Sequence, residues 1–538
     1  MKLLLVTLLL ICVLGAPMSG TLRIWQTSDI HGWVDAHPHQ HMTEGLADFL
    51  GLVETEKGMI DDDEATEFLL LDSGDQVQGT GFSDATDIDG SFIFAMMKHL
   101  PYDGMTVGNH ELGLPDTVKM LHDHASDLFT ESDLYVTTNT IWGSNKGESQ
   151  EDMKPLGQTR YRTMTLKKFD MKVIIFGWIY NFDHDIADAY VADAVETINS
   201  DWFKAVIEKE KPDFVINLNH IATSDPQNNN IYLAQRALMP DTPLLLLTGH
   251  SHQFRHANCI AADGSTDPQC FMSEPMCYLY MFVEMDLHFT RASGKWQWAD
   301  LPSHKSVSAY TSSFTRAVGG AEFETQQSKA MQAEVDQMNR ELRLDHVLGC
   351  SDKKYSRTTA PYGPDKESSF LYFFFKVMEK IVYVTPAPAT PTVSLLNRGL
   401  LRANMYAGQV TTGDLYTIIP FPDDFYLLTL TGAELKMLLD LNYHPDPAQP
   451  VERESRVDEL AFSANYAELP HYMLSISPKD IDVAQQYNVV CTKYDSAVFV
   501  HHLNLVGPSK PGYAVVLYQH KIDPQDALKE YLVQYMTC

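Results

Sequence analysis

The feature that most constrains this chain is a series of short apolar runs in its first half, which alternate with helical stretches. The runs are "LRIWQTSD", "EFLLLDSGD", "KVIIFGWIY", "DFVINLNH" and "PLLLLTGHSH". Continuous runs of β-prone residues are typical of strands that are buried on both faces. Between them lie stretches with helical character, such as "TEGLADFLGLVETE" and "GSFIFAMMKHL". The alternation predicts a layered α/β domain.

Nearly every one of these predicted strands ends in a cluster of polar side chains. In open α/β sheets, functional sites form beyond the carboxyl ends of the strands. Four of these runs end in Asp29 and His31, in Asp72 and Asp75, in His220, and in His250 and His252, and a fifth short run, before "GNH", ends in Asn109 and His110. We therefore expect these five strand ends to converge on one site.

The chemistry of these side chains points to divalent metal ions. Carboxylate, amide oxygen and imidazole groups are the usual ligands of hard or borderline divalent cations, and a two-metal site needs a shared ligand, usually a carboxylate. The pieces "DIH", "GDQVQG", "GNH", "NHI" and "GHSH" supply this set in order, with glycines that let the backbone approach closely. A single such piece is more often found on a protein surface without a metal ion, but the ordered set at strand ends indicates a metal centre.

The ordered pieces resemble the motifs of the calcineurin-like metallophosphoesterase superfamily. The two-domain layout is similar to that of 5'-nucleotidases and their relatives that cleave nucleotides or UDP-sugars. The stretch "LGCSDKKYSRTTAPYG" resembles a divergent branch of that family found in fungi and protists. The resemblance implies an N-terminal four-layer α/β/β/α metallophosphoesterase sandwich and a C-terminal α/β domain of the 5'-nucleotidase type.

The resemblance and the helical spacing of "SKAMQAEVDQMNREL" together predict the domain boundaries. The expected division is a signal peptide over 1–20, a metallophosphoesterase domain over 21–318, a linker helix over 319–347, and a substrate-binding domain over 348–538.

The resemblance also assigns roles to the first-half residues. It implies two divalent metal ions, which could be Zn, Mn, Fe or Co, and direct attack of a metal-activated water on phosphorus. Asp29, His31 and His252 would hold one ion; Asn109, His220 and His250 would hold the other; Asp75 would bridge them. His110 would lie near the phosphate, where it stabilises charge or protonates the leaving oxygen.

In the second half, "NRGLLR" and "GQVTTGDLYTIIPF" stand where the family has its substrate-contacting segments. Asn397 and Arg402 match substrate-contacting positions, Phe421 matches a first base-stacking ring, and Tyr494 matches a second. A guanidinium group suits a phosphate or a polar sugar edge, and an aromatic face suits a purine. Phe421 could instead be a core residue, and Arg402 could form a structural ion pair. The family's Gly-Gly-Asp-Gly run after the second ring is missing here.

One residue beside the predicted metal ligands departs from the family pattern. Typical 5'-nucleotidases have an Asp three residues after the histidine that corresponds to His110, whereas this chain has Gly113. A carboxylate partner raises the pKa of a histidine and fixes its tautomer, which glycine cannot do. His110 then either uses another partner, from among Glu111, Asp116 and the His37 loop, or acts as a neutral donor. The His37 loop, "DAHPHQHM", is otherwise expected to be a solvated segment.

Composition and the N-terminal segment bear on the partners and the cellular compartment of the protein. The formal charge of -31, from 40 basic and 71 acidic residues, argues against a polymeric nucleic-acid partner. "MKLLLVTLLLICVLGAPMSG" has a charged start, an apolar run too short to span a bilayer and small residues after it, as in a secretory signal peptide. Removing this segment leaves six cysteines, which suits an oxidising compartment and allows 15 disulfide pairings.

The expected function is that of a phosphomonoesterase, secreted or lumenal in the secretory or vacuolar pathway, which hydrolyses nucleoside 5'-monophosphates or related small phosphate esters. One alternative is a nucleotide phosphodiesterase or UDP-sugar pyrophosphatase. Another is a metal-bound but catalytically weak protein that binds a ligand. The expected partner is a small phosphate compound, with no membrane anchor in the mature chain, and the oligomeric state is left open.

Overall fold

The computed structural model describes residues 19–40, 42–129, 133–143, 152–182, 186, 188–292, 294–362, 364–383, 390–421, 423–440, 472–506, 515–517 and 522–538. The predicted signal peptide lies outside this part of the chain, except for Ser19 and Gly20. The described chain divides into two compact units. Unit 1 comprises residues 19–37, 42–77 and 88–334, and unit 2 comprises 38–40, 78–87 and 335–538 with the gaps given above.

Unit 1 is built from fifteen strands and ten helices among its described residues. The strands are β1 (Ser19–Thr27), β2 (Thr66–Asp72), β3 (Gly104–Met105), β4 (Thr140–Trp142), β5 (Lys154–Pro155), β6 (Arg162–Leu166), β7 (Met171–Ile179), β8 (Ala189–Val191), β9 (Phe214–His220), β10 (Leu244–Thr248), β11 (Arg255–Ile260), β12 (Thr266–Glu274), β13 (Met281–Ala292), β14 (Lys295–Trp298) and β15 (Lys305–Ser308). The helices are α1 (Leu46–Asp61), α2 (Ser91–Met97), α3 (Asn109–Leu112), α4 (Pro115–Asp123), α5 (Ala125–Leu128), α6 (Ala194–Asn199), α7 (Asp201–Glu210), α8 (Pro226–Leu238), α9 (Thr311–Ala317) and α10 (Gln326–Leu342), the last of which continues into unit 2.

These strands form two six-stranded sheets and a small three-stranded one. The first large sheet has the order β14-β13-β1-β2-β3, with β15 beside β13, and the second has the order β11-β12-β10-β9-β7-β6. Strands β1, β2 and β3 run parallel, as do β7, β9, β10 and β12. Because parallel neighbours end at the same edge of a sheet, the polar ends of β1, β2 and β3 lie together, and so do those of β9 and β10.

The two large sheets pack face to face, and helices cover their outer faces. Ile24 of β1 points into the core between the sheets, which also contains Val173 and Phe214 of the second sheet. The next residue, Trp25, points outward and contacts Phe49 of α1, with ring centroids 6.2 Å apart. On the outer face of the second sheet, apolar side chains of β7 and β9 pack against α6, α7 and α8. The order of layers is helix, sheet, sheet, helix, so the predicted four-layer sandwich is confirmed.

Unit 2 is a separate α/β assembly. Its strands are β16 (Val347–Ser351), β17 (Thr392–Asn397), β18 (Gly408–Thr411), β19 (Phe425–Thr431), β20 (Tyr472–Leu474), β21 (Gln486–Thr492) and β22 (Val515–Leu517). Its other helices are α11 (Phe370–Val377), α12 (Thr412–Ile418), α13 (Gly432–Asp440), α14 (Lys493–Val506), α15 (Pro524–Tyr535) and a short helix at Gly81–Asp84. Five strands form a sheet in the order β20-β17-β21-β19-β22, and β16 pairs with β18. The predicted C-terminal α/β domain is confirmed as a fold.

The boundary between the units falls inside helix α10, between Glu334 and Val335. Met331 and Val335 are fully buried, and Met338 and Leu342 are partly buried, as their helical spacing predicts. The helix is shorter than the linker over 319–347 that the sequence suggested, and the domain boundaries at 318 and 347 stay a prediction. None of the helices in the described part of the chain is long and apolar enough to cross a bilayer.

Two disulfides connect described cysteines. Cys259–Cys270 joins β11 to β12, and Cys350–Cys538 joins β16 to the last residue. Cys277 and Cys491 are buried thiols outside any disulfide.

We expect the Cys350–Cys538 disulfide to stabilise unit 2, because it closes a loop of 188 residues. The double variant Cys350→Ser/Cys538→Ser should lower the free energy of unfolding by roughly 2–5 kcal/mol. Urea denaturation measures the loss, with Cys491→Ala as a control for the loss of a buried thiol that forms no disulfide. An unfolding midpoint equal to that of the wild type would contradict the prediction.

Candidate metal centre

The predicted ligands of unit 1 meet at the carboxyl ends of the strands. Their ligand atoms form three overlapping groups, each within 4.8 Å: Asp29, His31 and His252; His31, Asp75 and His110; and Asp75, His220 and His250. The amide oxygen of Asn109 lies 3.2 Å from Nε2 of His220. Asp75 and His31 each belong to two groups. The structure therefore brings together all seven predicted ligands and His110.

The separations between these atoms fit a shared cation. Two ligands about 2.1 Å from a tetrahedral metal lie roughly 3.4 Å apart. In one group, Nε2 of His252 lies 3.1 Å from Nε2 of His31 and 3.3 Å from a carboxylate oxygen of Asp29. In the group of Asp75, His220 and His250, Oδ2 of Asp75 lies 3.0 Å from Nε2 of His220. The same oxygen lies 3.7 Å from Nε2 of His31. Asp75 thus faces His31, which belongs to the group with Asp29 and His252, as well as His220, as a bridging carboxylate would.

Five of the seven predicted ligands have left-handed backbone, which is uncommon for residues other than glycine. The φ angles are 54° for Asp29, 51° for His31, 56° for Asp75, 80° for His250 and 56° for His252. Left-handed backbone at such residues is strained and persists only where surrounding contacts determine it. The loops of this site must therefore be held by strong local hydrogen bonding.

Such bonds connect the ligand loops to each other. The backbone N–H of His31 donates to the carbonyl oxygen of Asp75 at 3.0 Å, and that of His110 donates to a carboxylate oxygen of Asp75 at 2.8 Å. The N–H of His250 donates to the carboxylate of Asp29, which links the two sheets. A Cβ atom at Gly108 would lie 2.1 Å from Oδ1 of Asp75, so the glycine before Asn109 is required for this approach.

Two ligand imidazoles are oriented by backbone carbonyl groups. Nδ1 of His31 lies 3.1 Å from the carbonyl oxygen of Val77, and Nδ1 of His220 lies 2.9 Å from that of Ser73. A proton on Nδ1 would make each of these a hydrogen bond and leave Nε2 available for a metal, the arrangement common in metal sites.

Glu111 has a role that sequence reasoning did not find. It was considered as a partner of His110, but its buried carboxylate accepts hydrogen bonds from the backbone N–H groups of Gly108, Asp75, Gln76 and Val77, at 2.6–3.2 Å. Glu111 therefore fixes the loop that carries Asp75.

Asp72 also organises this loop. Its carboxylate accepts hydrogen bonds from the N–H of Gly74, the side-chain amide of Gln76 and the hydroxyl of Thr27. Burial raises the pKa of Asp72 to about 7, although these hydrogen bonds act in the opposite direction. Asp72 supports the ligand loop and belongs to none of the three ligand groups.

His110 lies beside the ligands with 11% of its side chain exposed. Its Nε2 is 4.0 Å from Oδ2 of Asp75, and its ring stands at 87° to that of His31, with centroids 4.6 Å apart. Gly113 has an ordinary helical φ of -72°, and a Cβ atom there would come no closer than 3.5 Å to any neighbour. Glycine is therefore not needed at this position for steric reasons.

The expectation of a solvated His37 loop holds only in part for His37, whose side chain is partly buried. Its ring packs on Trp33 with centroids 4.2 Å apart, and Trp33 in turn stacks on Tyr278. Burial lowers the pKa of His37 to about 4, so the side chain is neutral at physiological pH. Trp33, only two residues after His31, covers part of the His37 ring. The side chains of the other two histidines of the run lie outside the described residues.

The predicted substrate-contacting residues of unit 2 differ from one another in their burial and in the groups that they contact. The guanidinium of Arg402 lies 4.7 Å above the ring of Phe421, and the side chain of Arg402 is buried. Oδ1 of Asn397 accepts a hydrogen bond from the N–H of Gly399, so part of this side chain shapes the turn. Tyr494 is 48% exposed.

The sequence analysis did not single out two further buried arginines of unit 2, Arg357 and Arg398. Nη1 of Arg357 donates to the carbonyl oxygen of Arg402. The signal that could have identified Arg398 was its place beside Arg402 in the apolar stretch "SLLNRGLLRA". Arg357 lies in the polar stretch "KKYSRTT", which gives no such signal.

Comparison with known proteins agrees with this architecture. Residues 22–254 match the family model described as calcineurin-like phosphoesterase, and residues 347–497 match the 5'-nucleotidase C-terminal domain. A crystal structure of a 5'-nucleotidase from Candida albicans shares the fold with a TM-score of 0.80 at 21% identity, covering 95% of this chain and 97% of that one. A 5'-nucleotidase precursor from Thermus thermophilus has a TM-score of 0.64 at 15% identity, covering 96% and 97%.

Sequence relatives are found among fungi. An uncharacterised protein of Schizosaccharomyces pombe is 23% identical over 434 residues, which is 76% of this chain and 69% of the relative. A protein of Arthroderma benhamiae described as secreted is 24% identical over 489 residues, which is 82% of this chain and 70% of the relative.

The four-layer sandwich with its ligand groups at the strand ends defines a metallophosphoesterase, a class of hydrolases that bind divalent metals. The chain belongs to the family that joins a calcineurin-like phosphoesterase domain to a 5'-nucleotidase C-terminal domain.

Metal binding is expected to release protons at neutral pH. Burial alone would lower the pKa of His220, but the charge of Asp75 and its hydrogen bond outweigh burial and raise the pKa from 6.5 to about 10. This raised pKa stabilises the metal-free protein fully below pH 6.5, and the stabilisation is lost as the pH rises toward 10. Because a ligand imidazole must be neutral, metal affinity should increase over the same range.

Calorimetric titration of metal-free protein with Zn²⁺, in buffers that differ in ionisation enthalpy, measures the protons released. Binding at pH 7 without proton release, or with an affinity that falls from pH 6.5 to 8.5, would contradict this prediction.

Proposed function

We propose that this protein is a secreted or lumenal phosphomonoesterase with two divalent metal ions, which hydrolyses nucleoside 5'-monophosphates or related small phosphate esters. The observation that carries the proposal is the arrangement of two ligand sets around one shared carboxylate, Asp75. Asp29, His31 and His252 would hold one ion, and Asn109, His220 and His250 the other. The family membership, the fungal relative described as secreted and the disulfides support the proposal.

The residues present fit such ions well. Asp29 and Asp75 are buried carboxylates, and their ion-pair partners in the described part of the chain are imidazoles only. Imidazole, carboxylate and amide oxygen together suit Zn, Mn, Fe or Co. When bound, the ions would supply Lewis-acid activation of water and neutralise charge on the phosphoryl group.

His110 would act on the substrate itself. It is more exposed than its neighbours, and Nε2 lies within 4.0 Å of Asp75, so the ring borders the ligand groups without being enclosed by them. In this position it would stabilise charge on the phosphoryl group or supply a proton to the leaving oxygen.

Unit 2 has side chains of its own that suit a nucleotide. Arg402, stacked on Phe421, provides a buried positive charge in a chain of net charge -31, and Arg357 contacts its backbone. Buried guanidinium groups suit phosphate and the polar edges of a sugar. We propose that Asn397, Arg402, Phe421 and Tyr494 contact the nucleoside part, with Tyr494 accessible for stacking.

Phosphate release from a panel of substrates tests the proposal. Purified protein loaded separately with Zn²⁺, Mn²⁺ or Co²⁺ should release phosphate from AMP or another 5'-monophosphate faster than it cleaves cyclic nucleotides or UDP-glucose. Preference for the last two would favour the phosphodiesterase or pyrophosphatase function instead. A fully metal-loaded protein that cleaves no phosphate ester would refute the proposed activity.

The role of His110 predicts a specific loss. His110→Ala should lower kcat on the best substrate by about 10²–10⁴-fold while leaving the content of bound metal unchanged. The matched variant Gly113→Asp should fold normally, because the backbone and space at Gly113 accept a side chain. It should raise kcat by supplying a carboxylate near His110. Wild-type kcat in His110→Ala would show that His110 is not catalytic.

A further inference from the structure

We propose that Glu274 is a positioning residue for the metal centre, which holds together the two loops that carry three of its imidazoles. The inference rests on the proposed function, because it assumes that His220, His250 and His252 bind metal. Glu274 is the last residue of β12, and its side chain is fully buried.

The carboxylate of Glu274 accepts four hydrogen bonds from two loops. Oε1 accepts from the backbone N–H and the hydroxyl of Ser251, at 2.9 and 2.5 Å. Oε2 accepts from the backbone N–H and the hydroxyl of Thr223, at 2.9 and 2.5 Å. One oxygen is thus committed to the loop after β10, and the other to the loop after β9.

These two contacts lie next to the metal ligands in the sequence. Ser251 stands between His250 and His252, and Thr223 follows His220 by three residues. The flanking residues His250 and His252 both have left-handed backbone, with φ angles of 80° and 56°. A residue that fixes both the N–H and the hydroxyl of Ser251 therefore fixes the strained turn that aims the two imidazoles.

Other polar contacts make the connection between the loops rigid. The hydroxyl of Thr223 also lies 2.7 Å from that of Thr248, which donates to the carbonyl oxygen of Ser273 at 3.0 Å. Thr248 ends β10, and Ser273 precedes Glu274 in β12. The hydrogen bonds around Glu274 are therefore anchored to the ends of two adjacent strands.

Only a carboxylate of this length provides the contacts. Each oxygen faces a backbone N–H, which can only donate, so both oxygens must accept. Glutamine has the same shape but would place an amide N–H₂ against one of these donors. Aspartate is one methylene shorter and could not reach both loops without moving the backbone.

The experiment compares metal binding in the full-length protein and the Glu274→Gln variant. Competition with a chromophoric chelator gives the Kd for Zn²⁺ and Co²⁺, elemental analysis gives the metal content, and the visible absorption of the Co²⁺ form reports ligand geometry. Glu56→Gln is the matched control, because Glu56 is an equally buried carboxylate of unit 1 that pairs with Arg23 rather than with the ligand loops. Ser251→Ala removes one of the four hydrogen bonds and leaves both backbone donors.

Glu274→Gln should weaken binding of at least one metal ion by about 10–100-fold, the usual effect of losing a partner that orients a ligand. The Co²⁺ spectrum should shift, and excess metal should restore activity in part. Ser251→Ala should show a smaller change in the same direction and keeps the test valid if Glu274→Gln fails to fold, whereas Glu56→Gln should leave the Kd and the spectrum unchanged.

Unchanged metal Kd and Co²⁺ spectrum in both Glu274→Gln and Ser251→Ala would overturn the inference. So would equal losses in Glu56→Gln, because they would show a general effect of removing a buried charge. A metal-loaded wild type that releases no phosphate counts against the proposed function alone, since the comparison of Kd values does not depend on turnover.

Discussion

The burial of two carboxylates, Asp29 and Asp75, is the constraint on which the rest of unit 1 depends. Transferring an ionised carboxylate from water into a protein interior is strongly unfavourable unless an opposite charge compensates it. In the described part of the chain, imidazoles alone lie within ion-pair distance of these two groups. Either protons on the imidazoles or metal cations must therefore balance the charge, and the geometry of the ligand groups suits metal cations.

Holding these groups together requires both sheets. Asp29 and Asp75 follow strands of the first sheet, whereas His220, His250 and His252 end or follow strands of the second. The core between the sheets fixes the distance between the two sets of strand ends. Hydrogen bonds between the sheets then align the strand ends locally. One example runs from the side-chain amide of Gln26 to the carbonyl oxygen of Thr248. The apolar packing between the sheets therefore also sets the geometry of the polar site.

The buried strands and the ligands that follow them could be predicted from the sequence, because both depend on patterns within single segments. Buried strands appear as apolar runs, and a ligand that follows a run must lie at the edge of the sheet. Asp75 and His220 could be placed in this way. A Thr-x-x-Glu sequence is local in the same way, and the structure contains such a capping box, formed by Thr431 and Glu434, at the junction of β19 and α13.

The roles of the buried glutamates and the environment of His37 could not be predicted, because they depend on contacts between side chains and their surroundings in the folded chain. Glu111 could not be separated from a catalytic partner of His110, because its four hydrogen-bond donors come mainly from a loop about 35 residues earlier. Glu274 was overlooked, since "CFMSEPM" is an apolar run whose single acidic residue gives no sign of what it contacts. His37 was assigned to solvent because the local composition is polar, whereas its ring packs on Trp33 and is partly buried.

The left-handed backbone at five ligand positions has a consequence for how this fold can change. Replacing a strained residue by glycine relieves conformational strain, and at these positions it would also remove a ligand and a buried polar group. A descendant that had no use for metal could therefore gain folding stability by discarding the site. That this chain keeps strained ligands at five positions implies that selection for function has opposed the simplest route to a more stable protein.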